Sequence, residues 1–166
     1  GSIWGRFGFS DVLTMFLALD TEVELFKGGR VCLWDFVKMP KDRDILVHII
    51  VKKTPIKTAY LSQRNTKTDF PVLACCVSLS EDGMKAVYGA RPSKAFLLED
   101  EENILKDAQT RSEEEKKAAY EKFADYAAKK VPTSGNMRGS AKYRTLLVKV
   151  LTRRALEAVG GMSDEN

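Results

Sequence analysis

Residues 139–161, GSAKYRTLLVKVLTRRALEAVGG, limit the possible folds more than any other stretch of the chain. Tyr143, Leu146, Leu147, Val150, Leu151, Ala155 and Ala158 recur at helical spacing and trace one apolar stripe. Lys142, Lys149, Thr152 and Arg153 fall mostly on the other side. Ser140, following Gly139, can accept a bond from the open N–H groups of the first turn, and Gly160-Gly161 supplies a left-handed stop. Burying about four or five such side chains contributes roughly 1.5–3 kcal/mol each. A stripe of this size needs a broad apolar partner, which points to a helix lying on a β-sheet. The basic residues then form the solvated side and the ends of a core helix.

The rest of the chain supplies that sheet. Ser10 or Asp11 can cap a buried helix carrying Val12, Leu13, Met15, Phe16, Leu17 and Leu19. EVELF and RVCLWDF read as two β-prone runs flanking Lys27-Gly28-Gly29, a hairpin signal, and DILVHIIV reads as a further strand. Pro55 ends this first part. KTAYLSQ is then a short strand, RNTKTDFP a polar loop and VLACCVSLS a core strand that turns at EDG into MKAVYGA. RPSKAFLLED continues extended before the chain turns polar. Ser112 and Glu115 form a capping box for a second long helix. Its acidic start at Glu113 and Glu114 and basic end at Lys129 and Lys130 suit the helix dipole, and Val131-Pro132 stops it.

Several function classes are poorly served. Net charge is +4, with 27 basic residues interleaved among 23 acidic ones, which gives no strong argument for a polyanion partner. Cys32, Cys75 and Cys76 form no CxxC or Cys/His set for a zinc ion or an iron–sulfur cluster. In a strand, adjacent Cys75 and Cys76 would point to opposite faces as buried, inert thiols. The single histidine, His48, sits among apolar neighbours and reads as structural, with no Ser–His–Asp set around it. GRFGF is neither a Walker loop nor a dinucleotide fingerprint. With no apolar run near the roughly 18 residues of a membrane span, the expected location is cytoplasmic. The chain opens without an initiator Met and reads as a piece of a longer polypeptide.

One group of residues suits a nucleotide-type cofactor. A Gly-Ser turn at Gly1-Ser2 can bring N–H groups close to phosphate oxygens, and a helix start at Ser10-Asp11 adds donors and a carboxylate. Helix capping explains Asp11 equally well. Three stretches resemble the flavoprotein subunit of the molybdenum hydroxylases, the xanthine dehydrogenase and carbon monoxide dehydrogenase group. They are GSI…FSDVLTMFLALDTEVEL, then DILVHIIV with AYLSQRNTKTDFPVL, and NMRGSAKYRTLLVKVLTRRAL. The last is similar to the family signature D-x-R-x-S-A-x-Y-R…R-A-L.

The resemblance implies an α+β chain. Residues 1–55 would be the end of an FAD-binding α/β subdomain. Residues 56–161 would be a carbon monoxide dehydrogenase flavoprotein C-terminal-like domain, a three-stranded antiparallel sheet packed on helices, with 162–166 a disordered tail. It implies an FAD-holding component that passes electrons from iron–sulfur clusters to an acceptor such as NAD. The molybdenum cofactor and the clusters would sit on separate molybdenum-binding and iron–sulfur subunits. Gly1 and Ser2 would belong to a phosphate-binding loop, and Asp11 and Leu46 would touch the cofactor. Leu61 stands where many relatives carry Lys, and Arg64 or Lys67 would have to supply that charge. The family's first glycine-rich loop is absent, so the cofactor site is half complete and this chain alone should bind FAD weakly or not at all. Two other readings remain: a subunit-docking domain that holds no FAD by itself, and nucleic-acid binding through Lys142, Arg144, Lys149, Arg153 and Arg154.

Overall fold

A computed structural model describes residues 1–81 and 83–161. The chain begins in turns and enters α1, Asp11–Ala18. An antiparallel sheet follows, with strands β1, Thr21–Leu25, β2, Gly29–Cys32, and β3, Leu46–Val51, in the order β2-β1-β3. Gly29 takes φ +67° where the chain re-enters the sheet, a conformation that only glycine adopts without cost. The second half of the RVCLWDF run departs from expectation. Leu33–Lys38 is a helix, α2, because Leu33, Phe36 and Val37 fall on one helical face and all three are buried.

The second sheet is antiparallel in the order β4-β5-β6-β7, formed by β4, Lys57–Gln63, β5, Leu73–Ser80, β6, Gly83–Gly89, and β7, Phe96–Leu98. The three antiparallel strands expected here are joined by a short fourth, β7, on the β6 edge. The β5–β6 hairpin is in register from Ala74↔Gly89 to Ser80↔Gly83. Within the EDG turn Asp82 lies outside the described residues, as do 162–166, the stretch expected to be disordered. Two helices back the sheet: α3, Glu113–Lys130, with the capping box of Ser112 and Glu115, and α4, Ala141–Gly160, capped by Ser140 and stopped at Gly161 with φ +74°.

Strand β5 divides two cores. Cys75 and Val77 face a core built with Tyr120, Phe123, Leu147, Val148 and Leu156 of the two long helices. Cys76 faces the other way, with Val87, into a core of Leu13, Leu17, Val23, Leu33 and Phe36. The adjacent cysteines thus do part to opposite faces. Burial pushes both thiols up, that of Cys76 to about 12, which keeps them protonated and unreactive at neutral pH.

The stripe on α4 is rotated by one position from expectation. Its buried residues are Arg144, Leu147, Val148, Leu151, Thr152, Ala155, Leu156 and Val159. Tyr143, Leu146 and Ala158 are exposed. The two possible stripes share Leu147, Leu151 and Ala155, so pattern alone cannot separate them. Polar partners for Arg144 and Thr152 decide the matter: the Tyr88 and Thr152 hydroxyls lie 2.6 Å apart, inside the core. His48, read as structural from its apolar neighbours in sequence, lies at the surface. Its Nδ1 is 2.7 Å from the Glu24 carboxylate.

Candidate functional site

The N-terminal turn and the start of α1 form one unit. The Gly5 N–H donates to the Gly1 carbonyl at 2.8 Å, and that of Phe7 to the Ser2 carbonyl at 3.1 Å. The Ser2 and Ser10 hydroxyl oxygens are 2.8 Å apart, and Ser10 Oγ accepts the Leu13 N–H. Ser2 is therefore tied to the cap of α1, where open N–H groups leave partial positive charge. Beside it lies a cleft of about 540 Å³ whose walls include Gly1, Ser2, Trp4, Val12, Leu46 and Ile49. Three of the five residues expected at a cofactor, Gly1, Ser2 and Leu46, share this cleft. A Cβ on Gly1 would meet nothing within 4 Å, so the turn is open to a close neighbour. The Gly1-Ser2 turn beside the capped start of α1, together with the apolar side chains of Val12, Leu46 and Ile49, suits part of a dinucleotide. Asp44 also borders the cleft, but its carboxylate accepts the N–H groups of Lys27, Gly28 and Ile45, which hold it below the usual carboxylate range against the cost of burial.

Asp11 and Leu61 stand apart from that cleft lining. Asp11 opens α1 and its carboxylate reaches β4, where it accepts the Tyr60 hydroxyl at Oδ1 and Arg64 Nη2 at Oδ2, 2.7 Å away. Burial, then the bond to Asp11, raises the Tyr60 phenol well above its ordinary value, and the same carboxylate raises Arg64. Arg64 thus supplies a positive charge next to Asp11, and Lys67 points to solvent in the same loop. Leu61 neighbours Tyr60 in β4 and packs on the opposite side, against the core beneath α4.

From Arg64 the polar chain continues to the family-like signature run. Arg64 Nη1 donates to the Asp69 carbonyl at 2.6 Å. The Asp69 carboxylate accepts Arg138 Nη2 at 2.8 Å and Nε at 3.1 Å, and this bonding lowers its pKa. Arg138 also lies over the Phe70 ring, 5.4 Å from its centroid, beside the packed rings of Phe9 and Phe7. Arg144 closes the arrangement from within. Its guanidinium is fully buried and donates to the carbonyls of Val72, Ser134 and Gly139 and to Asn136 Oδ1, at 2.5–2.8 Å. The placement of Arg144 among the solvated, phosphate-facing residues is therefore corrected: it is a buried clasp. Lys149 pairs with Glu121 and Asp125, and Arg153 with Glu121 and Glu157. These two residues hold α4 to α3 or to itself. Tyr60, Asp69 and Arg138 went unassigned in the sequence because their partners are 49 and 69 residues away. The Asp inside the polar RNTKTDFP loop was the one available signal.

Residues 58–159 match the family of the CO dehydrogenase flavoprotein C-terminal domain. No curated protein matches the chain. Among solved structures, a carbon monoxide dehydrogenase from Hydrogenophaga pseudoflava superposes with a TM-score of 0.78 at 21% identity. The reconstituted CO dehydrogenase of Oligotropha carboxidovorans gives 0.78 at 21%. The quinoline 2-oxidoreductase of Pseudomonas putida 86 gives 0.79 at 17%. Each comparison covers 98% of this chain and 60% of the other.

Proposed function

This chain belongs to the CO dehydrogenase flavoprotein C-terminal domain family, and from that membership we propose that it is part of the FAD-holding, electron-passing component of a molybdenum hydroxylase. The observation that carries the reading, beyond membership, is the cleft that brings Gly1, Ser2 and Leu46 together at the capped start of α1. The Gly1-Ser2 turn and the start of α1 suit phosphate oxygens, and Val12, Leu46 and Ile49 give the cleft an apolar wall. FAD, when bound, supplies the redox chemistry of such a component. The residues of this chain bind and orient: Ser2 with the α1 terminus at the phosphates, Leu46 at the apolar wall. Asp11, with its carboxylate fixed by Tyr60 and Arg64, forms a rigid charged pair outside the cleft lining. Leu61 acts through the packing of β4 rather than from the cleft.

The reading extends to partners. The Hydrogenophaga relative is a form that lacks the Mo-pyranopterin moiety of its molybdenum cofactor, and a cofactor of that kind supports a molybdenum-binding subunit as a neighbour of this chain; the family resemblance adds an iron–sulfur subunit. A cytoplasmic location and an acceptor such as NAD complete the proposal. Among the described residues no helix is long and apolar enough to cross a membrane. The test is spectroscopic. The complete subunit should purify yellow, with a flavin band in the visible blue, while this chain alone should hold FAD weakly. A colourless complete subunit that does not take up FAD on reconstitution overturns the reading.

A second reading, a docking domain that does not hold FAD by itself, draws on the placement of Asp11 and Leu61 away from the cleft walls. Co-purification with iron–sulfur or molybdenum subunits, without flavin, would favour it.

A further inference from the structure

Strand β7 ends the second sheet, and its outer edge pairs with no strand among the described residues. Ser80 and Gly83 face each other across the β5–β6 turn, which makes them a hydrogen-bonded pair. Alternation along β6 then directs the N–H and C=O groups of Ala86 and Tyr88 towards β7, where they meet Leu98 and Phe96. The backbone groups of Leu97 point the other way, off the edge of the sheet.

Beside that edge runs a groove of about 680 Å³, larger than the cleft at Gly1 and Ser2. One wall is α2, where Trp34, Val37 and Lys38 share a helical face. The Trp34 ring is held in place by its indole N–H, which donates to the Leu17 carbonyl at 3.1 Å. The other wall is the β7 segment, where Ala95, Leu97 and Glu99 alternate onto one side. Charge is divided along the groove. Lys94 Nζ donates to the Val37 carbonyl at 3.3 Å, which gathers Lys94 and Lys38 at the end of α2. Lys38 reaches Asp35 only at 4.0 Å. Glu99 follows β7 at the opposite end. Lys94 and Glu99 are exposed, and neither forms an ion pair among the described residues.

A groove with cations at one end, a carboxylate at the other and an apolar middle is complementary to its own copy turned by a half rotation. A two-fold axis at Leu97 lays β7 antiparallel to β7 of a second molecule. The Leu97 N–H of each copy then meets the Leu97 carbonyl of the other, and Ala95 falls opposite Glu99. Lys38 and Lys94 of each copy meet Glu99 of the other, with Leu97 and Trp34 of both copies between the charged ends. We infer that the β7 edge and its α2 groove form a homodimer surface, joining the second sheets of two copies into one continuous sheet. The strand has only three residues, so the charged ends and the apolar middle supply most of the affinity. This assignment is independent of the flavin reading, because the groove and the flavin cleft share no lining residue.

Sedimentation velocity of the complete gene product tests the surface, with amide exchange at Leu97 to locate the contact. The protein should pass from monomer to dimer between low and high micromolar concentration, and the Leu97 amide should slow as the dimer fills. Glu99→Lys puts like charges together at both ends and should weaken the dimer about 10-fold or more. Lys38→Glu with Lys94→Glu should weaken it similarly. All three changes in one chain exchange the charges and should restore the association. A monomer at every concentration overturns the proposal. A dimer indifferent to Glu99→Lys, or one that leaves the Leu97 amide fast, also overturns it, because the copies then meet on another face. Failure of the combined variant to recover association removes the charge pairing and with it the proposed two-fold arrangement. A Leu97 amide already slow in the monomer overturns it in favour of another segment of the same molecule as the cover.

Discussion

Arg144 carries a charge at a fully buried position and has no carboxylate beside it among the described residues. Its positive charge is spread over three backbone carbonyls and the Asn136 side chain. Burial lowers its pKa, and the charge of Arg138 lowers it further. An arginine tolerates this because its charge is delocalised and weakly hydrated, and its planar fork can serve several acceptors at once. Removing it would strand those acceptors. Arg144→Ala should therefore cost about 3 kcal/mol or more, measured by urea unfolding. Arg144→Lys should recover only a fraction, since a point charge cannot reach Val72, Ser134 and Gly139 together. Loss of less than about 1 kcal/mol in the alanine variant would show that the guanidinium is not the clasp described.

Between elements, the Asp69–Arg138 pair ties the loop after β4 to the turn before α4. Arg138 holds the Asp69 pKa below its ordinary 3.8. The folded form thus binds the proton less readily than the unfolded chain, and the contribution is complete above the ordinary value and disappears as pH falls through the lowered one. Asp69→Asn should be less stable than the parent near neutrality and should lose less stability between about pH 4 and pH 2. Parallel curves for the two proteins over that range would remove the pair from the acid response. The elements were legible in the sequence to different degrees. The capping box at Ser112 and the Gly161 stop are local chemistry, and both were readable from neighbouring residues. Helix α2 was missed because LWDF is β-prone, and only its three-way burial against α1 and β1 favours the helix. The α4 stripe was misread by one position because nothing local reveals that Arg144 finds carbonyls waiting at Val72 and Ser134. The cleft was legible in Gly1, Ser2 and Leu46, whereas the engagement of Asp11 depended on Tyr60 and Arg64, far along the chain.

Across the whole molecule, β5 serves both cores, and its two cysteines report on them separately. Cys32 is exposed, while Cys75 and Cys76 are buried on opposite faces. A thiol reagent should modify Cys32 alone in the native chain and all three cysteines in denaturant. Through the unfolding transition Cys75 and Cys76 should become reactive together. Separate midpoints would mean that the cores open independently. The division of β5 between two cores also limits how the chain can be dissected. A fragment starting at Lys57 would keep every strand of its sheet but expose Cys76 and Val87 where Leu13, Leu17 and Val23 now lie. Such a fragment would be a sheet with one greasy face, prone to self-association in solution. The smallest portable unit of this fold therefore includes α1 and the first sheet along with the matched family region, and recombination at Pro55 would separate two halves of one wall.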